Sequence, residues 1–358
     1  MSRALRWFVP AMFPVVALLS PGCDYPDQIP PAAPGADPRN LTWTIDTIAL
    51  PGSPATLMKS IWGSSPHDVY IAGHNDMPAG TMFHYDGISW RQVNLTVAEG
   101  GTIPGPIDIS QVFGFTPGDI FASGGIASSG TSGSPGQSLV IRFDGSLWSR
   151  MQIPPGRMLR GIWGLYQSDM WAAGDSGTMI FSQGLAWYAG VFRDTGSVSA
   201  IGGVSADDVY ALSSRFDSGV HDTTYRILWH WNGGVWSVAD SFAQVAGSPD
   251  RFGSRSVWSL LGITYTCGMG VFKRTGSGWV RIVPGQQSGY FNAIYGTANN
   301  SLFVAGDGSA LFHINETGWY RYSAFTDPAI NLYGVWSGGG EAFVVGNDGR
   351  RSYVLHGR

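Results

Sequence analysis

Histidines recur along this chain in a pattern that raises the question of a metal site. Imidazole nitrogens are common zinc ligands. Four histidines each directly follow two apolar residues, namely His84, His230, His313 and His356. In other copies of the same repeated segment, the equivalent place is filled by Arg142, Ser182 and Lys273. Because equivalent side chains of separate repeats point away from their common axis, they cannot meet at one ion, and we predict structural histidines and no metal site.

A second recurring group consists of aspartates just before the second strand of each repeat. Its members are Asp68, Asp119, Asp169 and Asp208. A short carboxylate in that place can accept backbone N–H bonds within a turn, so we predict a structural role. The segments GDSGT, GDGSA and GNDGR look like calcium loops but lack alternating oxygen ligands and a terminal bidentate glutamate. We predict hairpin turns there, and no cofactor.

Composition indicates an all-β protein. Glycine accounts for 51 of the 358 residues, while aromatic and charged residues each make up 13%. The chain is therefore poor in the residues that build surface helices and rich in those that form turns and strands. The net charge is -4 and the sequence has no cluster of lysines and arginines, so we predict no nucleic-acid partner.

The elements that position these residues come from an internal repeat that starts near residue 57. The segments SIWGSSPHDVYIAG, GIWGLYQSDMWAAG and AIYGTANNSLFVAG each contain an apolar strand, a polar turn and a second strand. Copies continue with a third strand and a tight turn into a tryptophan, as in TMFHYDGISW and ILWHWNGGVW. Asp-Gly and Asn-Gly dipeptides in those turns supply the positive φ of antiparallel hairpins. Four short antiparallel strands per unit predict the blades of a β-propeller.

Counting the repeats predicts the number of blades and how the ring closes. First-strand anchors occur at Trp62, Phe113, Trp163, Gly202, Trp258, Tyr295 and Trp336. Tryptophans of the fourth strand occur at Trp90, Trp148, Trp187, Trp236, Trp279 and Trp319, one fewer than the anchors. Trp43 supplies the seventh. We therefore predict a seven-bladed propeller over residues 41–358, in which the N-terminal strand 41–50 completes the C-terminal blade and leaves no open edge.

Residues two places before the anchors indicate a crowded axis. They are small or uncharged, namely Ser60, Gln111, Gly161, Ala200, Ser256, Ala293 and Gly334. The sequence thus predicts no ring of charges for a catalytic or ion-binding channel.

The repeat resembles the propeller repeats of bacterial envelope lipoproteins and large secreted proteins. Its first half has the form G-x-x-x-x-D-V-Y-x-x-G and its second half the form H-Y-D-G-x-x-W. It is more distantly similar to kelch and Asp-box repeats. Its second strand usually ends in one glycine where kelch has two, and the spacing from Asp86 to Trp90 is shorter than in the Asp-box. The enzymatic chemistry of those relatives is therefore not carried over.

Residues 1–22 have the layout of a secretory signal peptide, with two arginines before an apolar run and small residues before Cys23. The segment LLSPGCD resembles bacterial lipoprotein signals, which implies cleavage before Cys23 and acylation of that cysteine. Acyl chains would hold the protein on a membrane without a transmembrane helix. We expect the outer membrane of the bacterial cell envelope, or secretion if Cys23 is not acylated. The proline-rich residues 23–40 form the predicted tether, and Cys267, then without a disulfide partner, is predicted to be a buried thiol.

The longest departures from the repeat are insertions in two classes of loop. Loops that join the second strand to the third, and the fourth strand to the next blade, emerge on one rim of a propeller. The insertions there are GHNDMPAG, LTVAEGGTIPGPID, GGIASSGTSGSPGQ, SSRFDSGVHDTTYR and SFAQVAGSPDRFG. Because loops on a rigid scaffold often carry recognition, we predict a binding face on this rim. Its candidate residues are His74, Asp76, Arg215, Asp217, His221, Asp222, Asp250 and Arg251.

Two classes of function fit this arrangement. The first is a monomeric, non-enzymatic binding or scaffolding module of the cell envelope that recognises a protein or a glycan through the rim. The second is a polysaccharide hydrolase or lyase, which would use paired carboxylates and aromatic stacking on the same rim. The sequence contains no nucleophile elbow, metal-ligand spacing or obvious acid pair, so binding is favoured.

Overall fold

The regular structure consists of β-strands and two single-turn 3₁₀ helices, Pro38–Asn40 and Asp175–Gly177, in the described part of the chain. This computed structural model describes residues 37–77, 80–95, 106–126, 136–192, 194–217, 223–245, 250–276, 278–285, 289–298, 301–315, 317–323 and 325–358. The predicted signal peptide, Cys23, most of the predicted tether, His221 and Asp222 lie outside these residues. No described helix has the length and apolar character to cross a membrane.

The strands form seven four-stranded antiparallel sheets. In chain order, the first strand is β1 (Trp43–Ile48), and blade 1 contains β2 (Thr56–Ser65), β3 (Asp68–Asn75), β4 (Met82–Tyr85) and β5 (Trp90–Gln92). Blades 2 and 3 contain β6 (Ile107–Thr116), β7 (Asp119–Ile126), β8 (Gln137–Phe143), β9 (Trp148–Arg150), β10 (Leu159–Gly164), β11 (Met170–Gly174), β12 (Met179–Gln183) and β13 (Ala186–Ala189).

Blade 4 has the longest outer strands. It contains β14 (Ser197–Ser205), β15 (Asp208–Phe216), β16 (Thr223–Trp231) and β17 (Trp236–Val245). Blades 5 and 6 contain β18 (Ser256–Leu260), β19 (Ile263–Gly268), β20 (Gly270–Thr275), β21 (Gly278–Val283), β22 (Phe291–Ala298), β23 (Ser301–Gly306), β24 (Ala310–Asn315) and β25 (Gly318–Arg321). Blade 7 contains β26 (Asn331–Gly338), β27 (Glu341–Asn347), β28 (Ser352–Gly357) and β1.

The first strands of the blades form a closed inner ring. Each contacts the first strand of both neighbouring blades, in the order β2, β6, β10, β14, β18, β22, β26 and back to β2. All seven predicted anchors lie on these strands, and all seven predicted tryptophans lie on fourth strands. The seven-bladed, all-β prediction is therefore confirmed.

Closure of the ring is also confirmed. Strand β1 pairs antiparallel with β28, with Trp43 opposite Gly357 and Ile48 opposite Ser352. The N-terminal segment thus supplies the fourth strand of the C-terminal blade, so β28 has a partner on both sides. The strand edge that two free termini would otherwise leave is paired within the molecule.

Buried polar groups join the closing blade to blade 1. The Ser352 hydroxyl accepts a hydrogen bond from the Met58 backbone N–H at 2.7 Å and donates to the Thr56 carbonyl at 2.8 Å. The Asn347 amide donates to the Met58 carbonyl at 3.2 Å. Since unpaired buried polar groups are costly, these bonds fix the register of blade 7 against blade 1.

Short polar side chains connect other blades in the same way. The Ser60 hydroxyl accepts from the Val112 backbone N–H at 2.9 Å, and the Gln111 side chain accepts from the Ile162 N–H at 2.9 Å. Both side chains occupy the place two residues before an anchor. Their polarity therefore links one innermost strand to the next.

Aromatic anchors pack against glycines of the following blade. An added Cβ at Gly114 would lie 2.8 Å from the Trp62 ring, and one at Gly203 would lie 2.9 Å from the Trp163 ring. Trp62 is 9% exposed, so most of its surface lies in the contact between blades 1 and 2. Glycine permits this close approach because it has no side chain.

We expect Gly114→Ala to destabilise the propeller by about 1–3 kcal/mol, because the methyl group would overpack the contact between blades 1 and 2. Urea denaturation measures the change. Gly276→Ala is the control, since no atom lies within 4 Å of an added Cβ at Gly276. Equal stability of the two variants would show that the contact is not tight.

Candidate binding face

Contacts between strand ends define the rim on which the insertions lie. His74 lies near the end of β3 and its Nδ1 is 3.9 Å from a carboxylate oxygen of Asp108, near the start of β6. Arg160, near the start of β10, donates to Asp175 after β11 at 3.0 and 2.7 Å. The ends of second strands and the beginnings of first strands therefore meet at one end of the blades, which we call the loop rim.

The described candidate residues fall into two groups on the loop rim. His74 and Asp76 belong to blade 1, whereas Arg215 and Asp217 belong to blade 4 and the pair 250–251 to the connection into blade 5. His74 pairs with Asp76 and Asp108, whereas Arg251 pairs with Asp240 of blade 4. The structure therefore places two separate polar surfaces on this rim.

His74 of the blade 1 group lies between two carboxylates. His74 Nε2 lies 3.0 Å from Asp76, and Asp108 approaches the other ring nitrogen. Arg160 and Asp175 form a further pair in blade 3. His74 and Arg160 therefore each face a carboxylate on this part of the rim.

The blade 4 group displays an arginine beside aromatic side chains. Arg215 lies over the Tyr225 ring, 5.5 Å from its centroid. The adjacent Phe216, the last residue of β15, is 64% exposed. Arg251 pairs with Asp240 at 3.3 Å. Arginine and aromatic residues are enriched in protein interfaces. The exposed apolar surface of Phe216 would be removed from water if a partner covered it.

Asp250 is buried, with 4% of its surface exposed. Its carboxylate accepts hydrogen bonds from the Gln244 amide at 2.7 Å and from the Met269 backbone N–H at 3.2 Å. Burial raises the pKa of this carboxyl group, while the Met269 N–H and nearby arginines oppose the increase. Asp250 therefore links Gln244 and Met269 beneath the rim surface and does not project into solvent.

The innermost strands carry a set of rim residues that the sequence analysis missed. In six of them a β-bulge leaves the residue three places before the anchor unpaired. With the equivalent residue just before β18, the set is Lys59, Ser110, Arg160, Ser199, Arg255, Asn292 and Tyr333. It contains three cations and no acid. Comparison of the residues three places before the anchors, instead of two, would have identified this set from the sequence.

The recurring histidines make separate contacts, each within its own blade. His84 Nε2 lies 2.7 Å from Asp68, and His230 Nε2 lies 2.7 Å from Asp208. Each pair belongs to a single blade. Arg142 contacts Asp119 at 2.8 Å in the same place of blade 2. No group of three or more His, Cys, Asp or Glu residues could hold a metal ion among the residues that the structure describes.

These pairs correct the predicted role of the recurring aspartates. We expected turn carboxylates that accept backbone N–H groups, but Asp68, Asp119 and Asp208 contact a third-strand side chain. The aromatic residue two places later stacks on the same histidine in two blades, with centroid distances of 4.2 Å for Tyr70 and 4.6 Å for Tyr210. Carboxylate, imidazole and aromatic ring thus form one structural unit within a blade.

His313 occupies the same third-strand place but lacks a carboxylate partner. Its Nε2 lies 3.3 Å from the Ser301 hydroxyl, and its Nδ1 has no hydrogen-bond partner in the described structure. Burial lowers the pKa of His313 to about 4. The folded protein therefore favours the neutral ring.

Comparisons with known protein families and with curated protein sequences find no match to this chain. Solved structures of the same fold do match. The chain is similar to a YCF48 structure described as bound to a D1 peptide, with a TM-score of 0.61, 15% identity, and coverage of 91% of this chain and 98% of that one. It is also similar to YCF48 from Cyanidioschyzon merolae, with a TM-score of 0.56, 14% identity, and coverage of 87% and 98%. At this identity the similarity supports the propeller fold alone.

We expect the buried His313 to make stability depend on pH between about 6.5 and 4. The unfolded chain binds a proton near pH 6.5, whereas the folded ring does so only near pH 4. The free energy of unfolding should therefore decrease as the pH falls through this window, by at most about 3 kcal/mol from this residue. Urea denaturation at pH 8 and at several lower pH values tests this, and His313→Gln should flatten the dependence. Parallel pH profiles for the two proteins would contradict the assignment.

Proposed function

We propose that this protein is a non-enzymatic binding propeller anchored to a bacterial cell envelope, which recognises a protein partner through the loop rim of blades 4 and 5. The observation that carries the proposal is the exposed Phe216 beside the Arg215–Tyr225 pair. These side chains lie at the ends of β15 and β16 that face the loop rim, in the blade with the longest outer strands. A rigid sheet thus presents the residue types that dominate binding energy in protein interfaces.

The fold neighbours support the class of function. One YCF48 structure is described as bound to a D1 peptide, so a propeller of this architecture binds a peptide. The rigid inner ring suits such a role, because a scaffold that stays ordered loses little conformational entropy when a partner docks. We include a glycan partner and a polysaccharide hydrolase or lyase as alternatives that the experiments below distinguish.

The envelope location rests on the N-terminal sequence. Cys23 follows an apolar run that resembles a lipoprotein signal, and the prolines after it suit an extended tether. Acyl chains on Cys23 would keep the propeller at a membrane surface, with the outer membrane favoured. If Cys23 is not acylated, the protein is secreted. We propose that the propeller acts as a monomer.

A photoreactive amino acid at position 216 should crosslink to a protein partner in living cells. The matched control carries the same group in place of Ile88, which is 87% exposed on the hairpin between β4 and β5 at the opposite end of the blades. We expect a discrete crosslinked band from position 216 that position 88 does not produce. Identical patterns from both positions would argue against a binding face on the loop rim. A polysaccharide that the purified protein degrades would favour the enzyme alternative.

Cys23→Ser should release the protein from the membrane fraction. An unacylated chain has no lipid to insert, and each buried methylene of an acyl chain contributes about 0.8 kcal/mol to membrane binding. Membrane fractionation and the intact mass of the wild-type protein measure the anchor directly. A wild-type mass without acyl groups, together with recovery in the medium, would favour secretion.

A further inference from the structure

We propose that three arginines of blades 4 and 5 bind an acidic segment of the protein partner. This inference deepens the proposed function, because it names the chemistry that the loop rim recognises. The arginines are Arg226 on β16, Arg255 directly before β18, and Arg281 on β21. We call them the arginine cluster.

The cluster surrounds a single buried carboxylate. Arg226, Arg255 and Arg281 each interact electrostatically with Asp250. The Arg281 guanidinium also donates to the Asp250 backbone carbonyl at 3.2 Å. In the described structure, these three guanidinium groups therefore act together on one carboxylate. Their combined charge favours the approach of a further anion.

The charge of Arg226 is only partly compensated within the protein. Burial lowers the pKa of its guanidinium and the proximity of Arg255 lowers it further, while Asp250 and Tyr290 oppose the decrease. Its Nε donates to the neutral side chain of Gln244 at 3.0 Å. A carboxylate of the partner would compensate for the burial of the Arg226 charge and for the repulsion between Arg226 and Arg255.

Arg255 is oriented for binding. Its guanidinium lies over the Tyr290 ring at 4.4 Å from the centroid, and the residue is exposed to solvent. A planar guanidinium can donate two parallel hydrogen bonds to one carboxylate. Because the ring holds the guanidinium in place, less side-chain entropy is lost on binding.

The chain that carries these groups is fixed to the core. Phe252 is fully buried against blade 4, and the Gly253 backbone N–H donates to the Thr266 hydroxyl at 2.9 Å. Asp250 is held at the other end by the Met269 N–H. Arg255 thus projects from a segment with a defined conformation.

An acidic peptide fits this surface better than an anionic polysaccharide. The aromatic side chains Phe216 and Tyr225 lie on the same rim of blade 4, beside Arg215. A peptide can place an apolar side chain against Phe216 and carboxylates against the arginines, whereas a polyuronate has no apolar side chain to bury there. The combination of charge and exposed aromatic surface therefore favours a peptide.

Binding of labelled polyglutamate to the full-length protein tests the inference, with polyglutamine of the same length as the neutral control. Fluorescence anisotropy should detect the glutamate peptide only. Arg255→Gln should weaken this binding by about tenfold and reduce its dependence on salt. Arg91→Gln is the matched control, because Arg91 is an exposed arginine on β5, outside the loop rim. It should bind like the wild type.

Several outcomes would overturn the inference. These are equal affinities of the Arg255 and Arg91 variants, equal binding of both peptides, or binding of alginate in place of polyglutamate. Arg281→Gln provides a second variant if Arg255→Gln has a lower melting temperature than the wild type. If polyglutamate does not bind but position 216 forms a crosslink, the acidic partner is rejected and the proposed protein-binding function stands. Failure of both would reject the binding face itself.

Discussion

The pairing of β1 with β28 is the interaction on which the whole propeller depends. Six blades are built from consecutive strands, whereas blade 7 takes one strand from the opposite end of the chain. Without that strand, β28 would be an open edge and Trp43 would lose its place against Tyr322 and Phe325. The buried bonds of Ser352 then set blade 7 against blade 1. Closure is therefore both a sheet pairing and a contact between blades.

A closed inner ring separates the demands of stability from those of recognition. The anchors and glycines of the first strands must keep their sizes, because each fills the space that its neighbour leaves. At the loop rim the bulged residues are released from pairing, and their identity varies from lysine to tyrosine. The bulge lets one position of a tightly packed strand change without disturbing the contacts on either side of it.

Much of the fold could be predicted from the sequence because the repeat is local. A strand, a turn and a second strand lie within one short segment, so the strands of each copy can be predicted from that segment alone. Trp43 lies outside the six complete copies and identifies the closing strand. The role of Asp68 could not be predicted, because its contact with His84 depends on the register between β3 and β4. Spacing within one strand suggested a turn, but the cross-strand neighbour determined the contact.

The sequence predicted the insertions of the loop rim but did not predict the arginine cluster. Insertions mark the rim, since loop length is visible in the sequence, and Arg215 lies in one of them. The arginine cluster draws its three residues from distant parts of the sequence, namely Arg226, Arg255 and Arg281. Only the fold brings them close to Asp250. The buried Asp250 shows the converse, because a polar residue in a loop segment can belong to the interior.

The position of the arginine cluster within an acidic protein restricts what it can recognise. The chain has a net charge of -4, so its average charge does not attract a long polyanion. At physiological salt, charges are screened beyond about 8 Å, and a short acidic segment near the cluster would experience mainly the local excess of arginine. The contrast between global and local charge thus favours a compact carboxylate group over an extended phosphate backbone. This selectivity follows from the distribution of charge and does not require a shape-complementary pocket.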